Sequence, residues 1–354
     1  MNFQTSSHCQ RWLFTPEALA HEREERHRRT TEALSQAQEQ RLDRHAAAQD
    51  NTGQPAKKGK RIRPPSLAEE AVLLKYYKTK VQDMCRALGY PCKVQAAAIA
   101  FLSRFYIRHS PLEHDIKDTM LACLYLAGKV EEHYIGAEEM CRRLQQKEET
   151  LLNLEPQVLQ GLGFDLIAHS AHSALAGFFM ELKGEKQEDA TSDPADQEMT
   201  EQQLSDARRA ARAAADALLL TDAPLVFPPG QLGLAAMRSG FNKAKVSFSS
   251  ILTHIARKAA ASAGTSQDMV LGELKAAISS IDMFGAEGSQ AVSSEEAKKI
   301  DRRMKACQGM LVKSAACLEK QSSFAEQQHS QDEAATKGAA AMEPPTKRQK
   351  IVEM

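Results

Sequence analysis

Between residues 66 and 164 the apolar positions recur at three- and four-residue intervals, the spacing of helices rather than of strands. Helices are predicted at about Leu67–Leu88, Cys92–Arg108, Asp115–His133, Gly136–Gln146 and Glu149–Leu162. Ser66, with Glu69 behind it, makes a capping box for the first of them. Gly89-Tyr90-Pro91, Ser110-Pro111 and Gly136 separate the rest. The third helix differs from its neighbours because Thr119 to Gly128 carries no charge. Ile116, Met120, Cys123, Leu124, Ala127 and Val130 fall on one side, and Leu121, Ala122, Tyr125 and Leu126 cover most of the remainder. A helix apolar nearly all round is buried on all sides, so this segment is expected at the centre of a bundle. Lys129 ends it, followed by Glu131 and Glu132, where a charge can point out from the surface.

A second helical set begins at Glu201 and includes Arg208–Leu220, Gln231–Arg238, Ser247–Lys258 and Met269–Phe284. Two sets of similar size, with no strand pattern between them, predict an all-α chain built from a duplicated five-helix unit, the repeats spanning about 66–168 and 169–290. Lys183–Thr200 is acidic and lacks core positions, which reads as a disordered insertion or a long loop. Extra helices flank the repeats. Thr15-Pro16-Glu17 is a helix start, and the chain stays helix-forming to about Gln49, yet it is too poor in large apolar residues to build a core of its own. Trp12 and Phe14 lie just before it. Burying one aromatic contributes roughly 2–3 kcal/mol, enough to pin this segment to the body or to a partner. Asp50–Pro65 is a linker, so 1–65 reads as an N-terminal helix and a basic, partly disordered connection. After the repeats, 291–321 is a C-terminal helix whose Ala297, Ile300, Met304, Cys307, Leu311, Cys317 and Leu318 share one face, and 322–354 is a polar tail with a basic end.

Charge and composition narrow the function. In 354 residues, 46 basic side chains balance 46 acidic ones, which disfavours a chain built to coat nucleic acid directly. The seven cysteines form no Cys-x-x-Cys pair and read as reduced, small apolar fillers of an intracellular protein. No apolar run reaches the ~18 residues of a membrane span. The histidines, His21/His27 and His169/His172 included, lack a ligand set around them, so no metal is expected, and His254 reads as packing or surface. Phosphate-cradling and nucleophile motifs are missing, so neither a cofactor nor an enzyme is expected. Two basic runs are alternative candidates for a nuclear localisation signal, the other then being a solvated linker or tail: Lys57, Lys58, Lys60, Arg61 and Arg63 in the linker, and Lys347, Arg348 and Lys350 in the tail.

Several ordered pieces carry a resemblance. These are SSHCQRWLFTPEALAHER, LLKYY, FLSRFYIRHS, LACLYLAGKVEEH, GFDLIAHSAHSALAGFFMELK, LTDAPLVFPPGQLGLA and SEEAKKIDRRMKAC, running from about residue 6 to 320. In this order they resemble the cyclin family, and the two ends resemble its cyclin H branch. The resemblance implies two tandem cyclin folds, the first a cyclin box. It also implies a non-catalytic subunit that activates a cyclin-dependent kinase of the CDK-activating type, in the nucleus. The partners implied are the kinase catalytic subunit, a third assembly subunit and the transcription factor IIH complex, which links the chain to RNA polymerase II phosphorylation and the cell cycle.

By position, Lys129 matches the cyclin-box lysine. Glu155 matches the glutamate nine residues before the Phe of the Phe-Asp-Leu motif, here Phe164. In cyclins this pair bonds the kinase segment around helix αC. Trp12, Phe14, Val130 and Glu132 are candidates to support that interface, while Arg104 is expected in a structural ion pair. The chain departs from the pattern at Pro156, where the helix is expected to start or kink. Ser103 stands where many cell-cycle cyclins have an acid. LLKYYKTKVQDMC lacks the Met-Arg-Ala-Ile-Leu docking motif, so substrate recruitment through that patch is not expected. The rival readings are a cyclin C-like subunit of the Mediator kinase, disfavoured by the two ends, and a DNA-binding factor like transcription factor IIB. The second would bring a Cys-rich zinc ribbon, and Cys9 stands alone.

Overall fold

A computed structural model describes residues 3–49, 61–188 and 200–314, and among them every regular element is helical. The chain divides into two compact units, one of residues 1–31 and 63–305, the other of residues 32–62 and 306–354. Helices α1 (Ser7–Arg11) and α2 (Pro16–Gln49) precede a first repeat of five helices. These are α3 (Leu67–Leu88), α4 (Cys92–Arg108), α5 (Ile116–Val130), α6 (Ala137–Leu144) and α7 (Glu148–Gly161). The second repeat has α8 (Ala171–Glu188), α9 (Glu201–Leu219), the one-turn α10 (Ala223–Val226), α11 (Pro229–Lys243), α12 (Ser249–Ala263) and α13 (Gln267–Ser289). A last helix, α14, covers 294–314.

Local signals set the ends of the first repeat's helices. Ser66 and Glu69 close a reciprocal capping box on α3, and Gly89, at φ 71°, ends it in the left-handed conformation that costs glycine nothing. The Asp115 carboxylate accepts from the Lys117 and Asp118 amides to start α5. Every residue of α5 from Thr119 to Gly128 is buried, and α4 and α7 pack against it. In the second repeat, Leu204, Ala207, Ala211, Ala215 and Leu218 line one face of α9. The small residues let α11 come close: a side chain on Gly240 would run into the Ala207 carbonyl and Ala211.

Polar groups join α2, α3 and the second repeat within the larger unit. Arg26 of α2 pairs with Glu70 of α3, both nearly fully buried, and also donates to the Tyr106 carbonyl. Arg23 grips Asp222 through two bonds of 2.6 and 2.7 Å. Lys78, also buried, donates to the Thr221 carbonyl at 3.1 Å. On the other side of α3, the Tyr77 hydroxyl donates to Asp301 of α14 at 3.0 Å. The smaller unit buries Leu34, Ala37 and Cys307, and Ser314 there donates to Gln40 at 3.2 Å.

Two expectations change. First, α7 passes through Pro156 rather than starting at Glu155. The amide that proline lacks would have served Leu152, which lies on an exposed face where water can satisfy its carbonyl. Second, α8 was not anticipated as an element, and its backbone runs through residues 183–188, the first part of the segment read as disordered. Residues 189–199 lie outside those described, as do 50–60 and 315–354. The few apolar residues of α2 are covered by other parts of the chain, Leu19 beside Trp12, Ile107 and Leu225, and Leu34 is buried too.

Candidate functional site

At the end of α5 the chain turns back sharply. The Glu131 amide donates to Ala127, the His133 amide donates to Gly128 at 2.8 Å, and Glu132 takes a left-handed φ of 58°. Gly128 makes room here: a side-chain carbon would come within 2.9 Å of the Tyr90 hydroxyl oxygen and 3.2 Å of the His133 carbonyl, so the neighbours would have to shift. The turn leaves Lys129 facing solvent, 41% exposed. Its ammonium passes 4.9 Å from the centre of the Tyr125 ring and donates to Glu155 Oε1 of α7 at 2.6 Å. Glu155 is 13% exposed, so the carboxylate is partly sheltered and the lysine reaches over it. Burial, and then the bond with Tyr134, hold the Tyr125 phenol well above its usual range. Val130 is half-buried and Glu132 exposed. Lys129 and Glu155, expected together from the motif, are therefore brought into direct contact.

Large apolar residues on α7, the loop after it and the α5–α6 turn remain uncovered: Tyr134, Leu152, Ile167 and, most of all, Phe164, 67% exposed. Phe164 also has φ 60°, an unfavourable conformation for a bulky side chain. An aromatic displayed in this way follows from the local turn after α7, where the Phe164 amide donates to Leu159. Sequence reasoning used this phenylalanine as a landmark and missed it as surface.

The N-terminal candidates lie elsewhere. Trp12 is completely buried, with the guanidinium carbons of Arg104 and Arg108 at 5.3 and 4.7 Å from its ring. Its Nε1 donates to Asp165 Oδ2 at 3.0 Å, which Arg11 also reaches at 3.1 Å. Phe14 is partly buried and its amide donates to the Leu225 carbonyl at 2.8 Å. Arg104, expected in an ion pair, instead donates to the carbonyls of Asp165 and Ile167 in the connection between the repeats. Burial pushes its pKa down to about 10. The His8 imidazole is pushed down to about 3, by burial first and then by Arg104 and His169, and so accepts the His169 amide as a neutral ring. Asp165 stands in the Phe-Asp-Leu motif, yet sequence reasoning gave it no role.

Arg61 and Arg63 are exposed, Arg61 being 3.7 Å from Glu39. Lys57, Lys58, Lys60, Lys347, Arg348 and Lys350 lie outside the described residues. Among the described residues no three His, Cys, Asp or Glu side chains are grouped to hold a metal, and no helix is long and apolar enough to cross a membrane. Cys85, Cys123 and Cys141 are buried free thiols, Cys307 is buried, and Cys92 is exposed.

Comparison with known proteins gives this geometry a family context. Residues 71–167 match the cyclin N-terminal domain and residues 170–312 the cyclin C-terminal domain. Cyclin-H1-1 of Arabidopsis thaliana is 32% identical over 314 residues, 87% of this chain and 89% of that one. Cyclin-H of Xenopus laevis is 29% identical over 198 residues, about half of each chain. Among solved structures, the CAK complex of Chaetomium thermophilum contains a chain similar over 91% of this one and 95% of its own length, with a TM-score of 0.66 and 21% identity. The yeast TFIIK (Kin28/Ccl1/Tfb3) complex contains another, with a TM-score of 0.52 and 20% identity, covering 78% of this chain and 100% of its own. These two likenesses establish the shared fold.

Proposed function

The chain belongs to the cyclin family, in its cyclin H branch, and we propose that it binds and activates a cyclin-dependent kinase of the CDK-activating type. The observation that carries this reading is the Lys129–Glu155 pair, held at the exposed end of a helix buried from Thr119 to Gly128, beside uncovered apolar side chains. In a protein kinase, a lysine on strand β3 must pair with a glutamate on helix αC to position the ATP phosphates. A rigid bundle that binds the inward αC better than the outward one shifts that equilibrium. Moving it from 1:99 to 99:1 takes ~5.5 kcal/mol of differential binding. A charge-assisted bond from Lys129 to kinase carbonyls contributes roughly 1.5–3 kcal/mol. Tyr134, Leu152 and Phe164 are the apolar residues placed to contribute the rest. Val130 and Glu132 flank the lysine, while Trp12 and Phe14 act from inside by fixing the body that presents it.

In this reading the chain supplies no catalytic residue and needs no cofactor. Its relatives' assemblies support a third subunit: the yeast complex named above holds Kin28, Ccl1 and Tfb3, and Cyclin CCL1 of Saccharomyces cerevisiae is 27% identical to this chain over 183 residues. Membership of transcription factor IIH, phosphorylation of RNA polymerase II and nuclear localisation follow the same reading. Balanced charge favours protein partners over direct contact with nucleic acid. The test is a pulldown from native extract with mass spectrometry of what is retained. Recovery of a cyclin-dependent kinase with a third subunit supports the reading; recovery of Mediator subunits instead would assign the chain to the other kinase.

A further inference from the structure

A groove of about 380 Å³ lies where the start of α4 meets α8 and α9, within the range of ligand clefts, roughly 300–1,000 Å³. Its floor is apolar: Leu175 and Phe179 of α8, with Met180 69% exposed beside them. Its rim is basic: Lys93 of α4 and Arg208 and Arg212, one helical turn apart on α9. No carboxylate lines it. The carboxylates nearby in the chain are engaged: Asp216 with His172 and Gln95, Glu131 with Lys93, and Asp206 with Arg209. The Arg208 guanidinium stacks 5.1 Å over the Phe179 ring, and among the described residues neither Arg208 nor Arg212 has a carboxylate partner. An apolar trough under two arginines without a described carboxylate partner is complementary to one kind of surface.

We propose that this groove docks an acidic amphipathic helix of another protein. Apolar side chains on one face would fill the trough over Phe179 and Met180, and carboxylates three or four residues apart would pair with Arg208 and Arg212. The chain's own acidic stretch meets only half of this requirement. Residues 189–198 carry Asp189, Asp193, Asp196 and Glu198, but their apolar members are Ala190 and Ala195. Met199 adjoins the Thr200 cap of α9, two turns short of Arg208. The occupant assigned to the groove is therefore a helix of another protein rather than residues 189–198. Lys93, on the rim, also donates to the Glu131 carbonyl at 2.8 Å, so one wall of the groove touches the end of α5 that carries Lys129.

The experiment is a fluorescence-anisotropy titration of the full chain with a labelled synthetic peptide. The peptide is glutamate-rich, with leucine and phenylalanine at three- and four-residue intervals. Matched controls replace every glutamate with lysine, or every apolar residue with serine. The acidic amphipathic peptide is expected to bind at least about tenfold more tightly than either control, and less tightly as salt rises. Arg212→Glu, at an exposed side chain without a described partner, should remove that preference at an unchanged melting temperature, and Met180→Asp should weaken binding similarly. Equal binding of the lysine peptide, or indifference to both substitutions, overturns the proposal. Binding that emerges only after residues 189–198 are deleted also overturns it, by assigning the groove to the chain's own acidic segment.

Discussion

Lys129 and Glu155 already hold one another in the free chain, ammonium to carboxylate at 2.6 Å, although they end one helix and lie mid-way along another. The contact fixes a long, flexible side chain in advance, so less rotamer freedom is lost when a partner arrives. Because the lysine is exposed, the pair itself adds little to stability, about 0–1 kcal/mol. Lys129→Ala is therefore expected to melt within that margin of the parent while stimulating its kinase several-fold less. Parallel thermal melts and kinase assays check both halves, and undiminished stimulation would remove Lys129 from the interface.

Trp12 should behave in the opposite way. It is fully buried, so Trp12→Ala removes a core side chain and is expected to cost about 3–5 kcal/mol. Trp12→Phe keeps a ring between Arg104 and Arg108 but loses the bond to Asp165, for about 1–2 kcal/mol. Urea midpoints of the two variants report the ordering.

Two glycines in helices are predicted to respond with opposite signs. A methyl on Gly161 would sit 2.6 Å from the Phe105 ring and 2.8 Å from His109, which are stacked on each other. Gly161→Ala should destabilise by about 1–3 kcal/mol. Gly177 in α8 has open space around its missing side chain, and Gly177→Ala should stabilise by up to about 1 kcal/mol. Denaturant titrations of both variants decide the matter.

The buried Lys78 gives a pH dependence. Burial pushes its ammonium down to about 8 from 10.5, against the pull of Asp222. Between these values the unfolded chain binds the proton that the folded chain has released. Stability from this group therefore rises as pH increases from about 8 toward 10.5, with a slope approaching about 1.4 kcal/mol per pH unit. Lys78→Met should lack that component, and the difference between the two proteins' unfolding free energies at pH 7.5, 8.5 and 9.5 measures it.

The first repeat was legible in the sequence because its signals are local. Ser66 with Glu69, Gly89 and the uncharged run of α5 each specify a helix end or a buried helix within a few residues. The Lys129–Glu155 contact came from a motif and not from periodicity. What was missed depends on distant partners. The Arg26–Glu70 pair, the Lys78 bond to Thr221 and the seat of Trp12 on Asp165 leave no spacing pattern, since each joins residues that only the finished fold brings together. Leu175 and Phe179, which mark the buried face of α8, stand beside Phe178, Met180 and Leu182 in a short apolar run interrupted by Gly177, so the helical period did not stand out and that helix escaped notice as well. Pro156 shows the reverse error: a strong local rule gave way where the carbonyl it orphans faces solvent.

The docking of Trp12 on Asp165 and of Phe14 on Leu225 also orders events in time. The tryptophan leaves the ribosome before its partner carboxylate, 153 residues downstream, and before the Leu225 carbonyl that its neighbour's amide requires. Contacts of such long sequence separation form late, after local helices have condensed. Until synthesis passes the start of the second repeat, the nascent chain carries an unshielded indole and guanidinium groups without their carbonyls, the kind of surface that holding chaperones retain. Synthesis past Leu225 is thus what allows the Trp12–Phe14 segment to reach its final place.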